Sequence, residues 1–464
     1  PLKTIMHAGE RILGTSEQPR TIFLADGVYS PSSTGEFFPV YLRAHISLVG
    51  ESELGVVLDG ELSSNVISIG DMNDEQVSNM TITGGQGQGI LCQNSSPRLK
   101  NLTIHDNSGT GILCESSNPQ MEHLNIHDNS ASGLIIRDQS RPEIKHVTIS
   151  ANQGVGIGIT NGSSVRMDSL DINENISSGI FCSWSELILT NASILNNGAD
   201  GIALNASPNS LLDRVIIAGN ADHGVSCAES NPILTSITIA DNGRYGLRIA
   251  GSAHPMLTNS IAWNNSNGTI SFLGVGDPGS LLVAHSALEG GSLGGIFDGG
   301  YYTIDWSEGN TTIDPLFVDQ ENGDYSLQEG SPCINTGTSF FVWAGDTIVN
   351  IPDSTYQGGE VDMGCFESPY STVSISLEHQ LPLKFSLDQN YPNPFNPSTT
   401  IRYELPHQSD VQIIVYDVLG QIVATLVSEN QAAGYGSVQW DGKDKLGHQV
   451  STGMFLYVIH AGEF

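Results

Sequence analysis

Leu102-Thr-Ile-His-Asp-Asn107-Ser-Gly-Thr-Gly111-Ile-Leu-Cys114 returns 22 residues later as Leu124-Asn-Ile-His-Asp-Asn129-Ser-Ala-Ser-Gly133-Leu-Ile-Ile136. The asparagine recurs at intervals of 22 or 23 residues as Asn107, Asn129, Asn152, Asn175, Asn197, Asn220, Asn242 and Asn265. A glycine keeps the same interval at Gly89, Gly111, Gly133, Gly156, Gly179, Gly201, Gly224 and Gly246. Fixed self-similarity of this period marks a solenoid. Apolar residues stand three and five places before most of the asparagines, as in Ile104 with Leu102 and Ile126 with Leu124. A spacing of two is strand alternation. A further apolar column lies eight places before, and Ile-x-Cys or Leu-x-Ile pairs follow the glycines. Each repeat therefore holds two or three short strands and no helical period. A coil of this length without a helix predicts an all-β chain built on a parallel β-helix. Stacked coils turn equivalent residues into ladders, and the asparagines read as an inward-facing turn ladder rather than an array of ligand sites.

With the columns three and five before the asparagine facing inward, those two, four and six before it face out. This outer stripe reads Asn101, Thr103, His105; then His123, Asn125, His127; then His146, Thr148, Ser150; then Ser169, Asp171, Asn173. His105 is expected to stack on His127, and His123 on His146. Lys100, Lys145 and Arg166 lie close by in sequence. A histidine or lysine can take a proton, and a cation can stabilise the charge that develops. His127, His146, Lys145 and Arg166 are thus the candidate catalytic residues, and His105, His123, Asn125 and Asp171 the candidate substrate-binding ones. A polysaccharide groove and a plain solvated face are both consistent with this stripe. Asp71, Asp74 and Glu75 form a loop able to offer oxygen ligands to calcium. Asp319, Glu321 and Asp324 are a second acidic cluster.

Fifty acidic residues against 17 basic give a formal net charge of −33. This argues against nucleic acid or an anionic membrane as partner. No apolar run of 18 residues suggests a membrane span. The chain starts at Pro1 and reads as a mature form or a fragment. Cys92, Cys114, Cys182 and Cys227 occupy core columns, while Cys333 and Cys365 lie outside them as a candidate disulfide.

Thr21-Ile-Phe-Leu-Ala-Asp-Gly-Val-Tyr29, Ile46-Ser-Leu-Val-Gly50 and Val56-Val-Leu-Asp-Gly60 resemble the opening coils of pectate-lyase-like right-handed β-helix proteins. Residues 1–88 are accordingly expected to form a cap and first coils, 89–270 the regular coils, 271–368 irregular last coils with a C-terminal cap, and 369–384 a linker. The strings from Phe385 to Ile401, from Val411 to Gly420, Trp440-Asp-Gly and Gly453-Met-Phe-Leu-Tyr-Val458 predict a small β-sandwich over 385–464. This stretch closely resembles the C-terminal sorting domain of the type IX secretion system. That resemblance implies the secretion machinery as a partner and release at, or attachment to, the outer surface of a Gram-negative bacterium. Family members continue with one more strand, so the sorting domain is expected to be truncated. The β-helix resemblance implies an extracellular polysaccharide partner, with three readings open: a glycan binder, a polysaccharide lyase or epimerase acting on uronates, or a non-enzymatic adhesin.

Overall fold

The computed structural model describes residues 3–274, 279–291, 295–298, 302–356, 358–370, 385–387, 390, 395, 399–431, 434–445, 447–450 and 453–462. It divides into two compact units, residues 1–372 and 373–464. Of the expected linker over 369–384, residues 371–384 lie outside the described residues, as does most of the proline-rich string at 391–398.

The first unit is a right-handed parallel β-helix. Each regular coil contributes one long strand and one short one. Ser96–His105, Gln120–His127, Glu143–Ser150, Ser164–Asn173 and Glu186–Leu195 pair in parallel to form the first sheet. Ile112–Glu115, Leu134–Arg137, Ile157–Ile159, Ile180–Ser183, Ile202–Asn205, Val225–Ala228 and Tyr245–Ala250 form the second. Every long strand is bent by a left-handed residue six places before the ladder asparagine, with φ of 50° at Asn101, 54° at His123, 53° at His146 and 59° at Ser169. Each bend splits its strand into two segments, which supplies the third strand of the coil.

The asparagine ladder is internal. Asn175 Nδ2 donates to Asn197 Oδ1 at 3.0 Å and to the carbonyl of Ile149 at 3.1 Å, while its Oδ1 accepts from the Asn152 backbone N–H and side-chain amide. The pattern runs unbroken from Asn107 to Asn265. The glycine column is needed for close approach: a Cβ on Gly156 would lie 2.6 Å from the Gly179 carbonyl oxygen and 2.7 Å from an Ile172 methyl.

At the N-terminal end, the helix Ile5–Arg11 places Ile5 and Ala8 against Ile22, Val40 and Ile46. The buried Glu36 carboxylate accepts the Ile5 and Met6 N–H groups. These are orphan donors at a positive helix end, so a carboxylate there is stabilising. Parallel stacking continues past residue 270 through Ser280–Ala284 and Thr303–Trp306.

The segment after Thr311 then turns back along the flank of the first sheet. The reason is visible in the outward columns. Two before the asparagine the residues change from His105, His127, Ser150 and Asn173 to Leu195, Ala218, Ala240 and Trp263. Four before, Thr103 and Asn125 give way to Ile216 and Ile261. The apolar half is covered by Phe317, Tyr325, Leu327, Ile334 and Met363. Polar locks hold the cover. Asp241 accepts from Tyr325 Oη and Gln320 Nε2, both at 2.7 Å, and Asn259 exchanges two 2.8 Å bonds with the Thr338 backbone. Burial and the Asp241 carboxylate push the Tyr325 phenol well above its usual range. Asp241→Ala removes charge-assisted bonds worth about 1.5–3 kcal/mol each. Limited proteolysis within residues 311–330 is expected to accelerate roughly tenfold or more, because cleavage follows the population of the open segment.

Cys333 and Cys365 are free thiols in this same apolar cluster, which corrects the expected disulfide. Burial pushes both thiols up to about 12, so they behave as small apolar groups. The second unit contains two antiparallel sheets, one of Ser386–Leu387, Thr399–Leu405 and Gly434–Trp440, the other of Ser409–Asp417, Ile422–Gln431 and Phe455–Ala461. Tyr403, Ile413 and Ile459 lie in its core.

Candidate functional site

The histidine stripe forms as its columns require. His105 stacks on His127 and His123 on His146, each with ring centroids 5.0 Å apart and planes within 8°. His105 and His127 each bond the next aspartate through Nδ1 at 2.7 Å. Lys100 bonds Glu122 at 2.8 Å, and the Lys100 contact outweighs desolvation to hold the Glu122 carboxyl below its usual range. Lys145 and Arg166 are exposed on the segment before the bend. No hydrogen bond, ion pair or ring contact among the described residues joins His127, His146, Lys145 and Arg166. The stripe is therefore two stacked pairs with private partners, not one catalytic constellation. The calcium loop also does not converge. Asp74 faces Arg98 at 3.6 Å, and Glu75 is buried with Oε1 accepting the His45 N–H. Asp71, Asp74 and Glu75 are not among the groups whose ligand atoms come together, and neither are Asp319, Glu321 and Asp324.

The turns that lead into the second sheet carry a cluster that the sequence columns before the asparagine do not reveal. Three places after each ladder asparagine, and one before each ladder glycine, stand Thr110, Ser132, Val155, Ser178, Asp200, His223 and Tyr245. Stacking sets the last three side by side, and Asp222 and Arg244 adjoin them. One ligand atom from each of Asp200, Asp222 and His223 falls within 4.8 Å of the others. His223 is only 6% exposed, and its ring stacks on Tyr245 at 5.7 Å. The Tyr245 N–H donates to His223 Nδ1 at 3.3 Å, so Nδ1 carries no proton and Nε2 does. Nε2 faces Asp222 Oδ1 at 3.3 Å, and Arg244 Nε lies 3.1 Å from the same oxygen. That oxygen is buried and makes no hydrogen bond of normal geometry. Because Nε2 holds the proton and Nδ1 is occupied, His223 has no free lone pair for a metal.

Electrostatics separates the roles of the groups. Burial, reinforced by Asp222, raises the Asp200 carboxyl above its usual range against the pull of Arg248 and Arg244. Burial also lowers His223, helped by both arginines, so the imidazole stays neutral at neutral pH. Arg248 donates to Ser226 Oγ at 3.1 Å and forms no ion pair with a carboxylate among the described residues. In so acidic a chain, a half-buried arginine without a carboxylate partner is available to an external anion. The row through Arg248 runs back to Ser226, Ala203 and Phe181. Phe181 is 36% exposed and the nearby Trp184 69% exposed. Three coil steps, about 14 Å, separate Phe181 from Arg248.

The first unit is thus a right-handed β-helix whose turns leading into the second sheet bring Asp200, Asp222 and His223 together. The family model described as a right-handed β-helix region matches residues 65–186 and 134–277. The model described as a FlgD Ig-like domain matches residues 395–462. No curated protein matches the chain. Among solved structures, pectate lyase Pel9A is similar at 15% identity over 78% of this chain and 90% of that chain, with a TM-score of 0.49. The A-module of Azotobacter vinelandii mannuronan C-5 epimerase AlgE4 is similar at 15% identity over 66% and 93%, with a TM-score of 0.44. A GH87 α-1,3-glucanase catalytic domain is similar at 12% identity over 64% and 65%, with a TM-score of 0.41.

Proposed function

We propose that this protein acts on uronate-containing polysaccharide by abstracting the proton beside the uronate carboxylate. The observation that carries the reading is the partly buried Asp200–Asp222–His223 group beside Arg248, which has no carboxylate partner among the described residues. Arg248 binds the uronate carboxylate and stabilises the charge that spreads onto it when the proton leaves. Asp222 accepts the proton. His223 Nε2–H lies 3.3 Å from Asp222 Oδ1 and presents the positive end of its dipole to the carboxylate. Asp200, whose carboxyl burial raises above its usual range, donates from its protonated form to the leaving glycosidic oxygen in elimination or to the opposite face of the carbon in epimerisation. Phe181 and Trp184 offer apolar faces for neighbouring sugar rings. Alginate, pectin and sulfated uronates, each assayed with and without calcium, test the reading. New absorbance at 235 nm reports elimination, and proton NMR reports inversion at C5. No unsaturated product and no inversion on any of them would sink it.

The protein's place is the outer surface of, or the medium around, a Gram-negative bacterium, with residues 385–464 as the sorting signal for type IX export. The resemblance of Phe385–Ile401 and Val411–Gly420 to that domain supports this. The chain, fused to a signal peptide and expressed in a type IX-competent host, is expected outside the cell. Export unchanged by deleting residues 385–464 would contradict the assignment.

A further inference from the structure

The outer face of the first sheet carries a feature that the acid–base cluster does not use. Asn125, Thr148, Asp171 and Ser193 stand in one row on four successive coils, in exact register across the sheet. None of the four makes a side-chain hydrogen bond among the described residues. In the neighbouring columns several side chains are engaged: Asn101 bonds Asn79, Asn191 bonds Asp168, and His105 and His127 bond their aspartates. The row is closed at both ends. Thr103, the preceding member, donates to Glu53 Oε1 at 2.7 Å. Ile216, the following member, is covered by the returning segment. Between these ends, His146, Thr148, Ser169, Asp171, Ser193 and Arg214 line a groove of about 730 Å³, with the half-exposed ring of Phe366 in its wall.

We infer that this groove is a second glycan-binding site, separate from the acid–base cluster, and that its ligand is a neutral polysaccharide. The row repeats about every 4.8 Å, close to the length of one pyranose in an extended chain. Each coil thus presents one unengaged polar group per sugar. Charge decides the class of glycan. Asp171 sits in the floor as a carboxylate, an acceptor for paired sugar hydroxyls that repels a uronate. The flanking cation is already neutralised, since Arg214 pairs with Asp213 at 2.7 Å and bonds Asn191. Phe366 supplies the apolar face on which a ring rests. A protein built this way holds a neutral matrix polysaccharide on one sheet while presenting the other sheet to a uronate chain.

Affinity electrophoresis of the full chain in gels containing laminarin, xyloglucan, galactomannan or alginate tests the inference. Retardation by at least one neutral polysaccharide is expected. Asp171→Ala should weaken it about tenfold or more, the loss expected for hydrogen bonds to a charged group. Ser193→Arg, whose long side chain fills the groove from a half-buried position in its lining, should abolish it. His223→Ala and Asp222→Asn should leave it unchanged, so this site and the acid–base cluster fail or stand separately. Absence of retardation in every neutral gel, retardation by alginate alone, or equal retardation of wild type, Asp171→Ala and Ser193→Arg would each overturn the inference.

Discussion

Asp222→Asn is expected to slow turnover of a uronate polysaccharide by about 10³-fold, within the range for removal of a positioned proton carrier. The substitution is nearly isosteric and keeps an oxygen for Arg244, whose side chain is largely exposed, so the melting temperature should change little. The loss should fall on kcat with KM nearly unchanged, because Asp222 handles the proton and Arg248 binds the carboxylate. Arg248→Ala should instead raise KM as well as lower kcat, since the guanidinium grips the ground state too. The pH profile gives a further readout with a definite sign. Burial raises the Asp200 carboxyl, so its protonated form persists to higher pH than an ordinary aspartate. Activity that needs this proton declines as pH rises through that raised value. Asp200→Asn should lower activity and remove this alkaline limb. An Asp222→Asn protein with wild-type kcat would show that the cluster is structural.

The second large effect concerns the ladder. Asn175→Ala should destabilise the β-helix by about 3–5 kcal/mol, as judged by chemical denaturation. The side-chain amide supplies Asn197 Oδ1 and the Ile149 and Asn173 carbonyls, and its oxygen serves both nitrogens of Asn152. Alanine leaves the buried Asn152 N–H without its acceptor and removes the amide from the Asn197 Oδ1 and Ile149 carbonyl. Asn265→Ala, at the last rung, should cost less, since its side chain serves only Asn242 among the ladder asparagines. Unequal losses along one column would show that each coil is stabilised mainly by its neighbours. Equal losses at Asn175 and Asn265 would contradict the ladder account.

The residues before each asparagine were readable because a strand alternates with period two and identical coils repeat that alternation. His105 above His127 follows from this arithmetic alone, and the stacked rings agree with it. What such arithmetic does not supply is partnership. His105 and His127 turn to Asp106 and Asp128, and Lys145 and Arg166 fall on the other side of a left-handed bend. The Asp200–Asp222–His223 cluster was also present in the sequence, as Asp200-Gly201, His223-Gly224 and Tyr245-Gly246. Three consecutive coils that place chemistry-bearing residues directly before the ladder glycine are the signal to look for. It is faint because the same column holds threonine, serine and valine in the earlier coils.

The order of the coils, their inward columns, the asparagine ladder and the separate C-terminal β-unit were determined by sequence alone. Each depends on local periodicity repeated at short range, and stacking adds only copies of the same contact. The returning segment, the free state of Cys333 and Cys365 and the pairing of Asp222 with Arg244 and His223 were decided only by the tertiary structure. Tyr325 reaches Asp241 across 84 positions of sequence, and Cys365 reaches Thr238 across 127. No local pattern specifies such contacts. They follow from which outer columns turn apolar and must be covered, and from which buried charges are left to find one another.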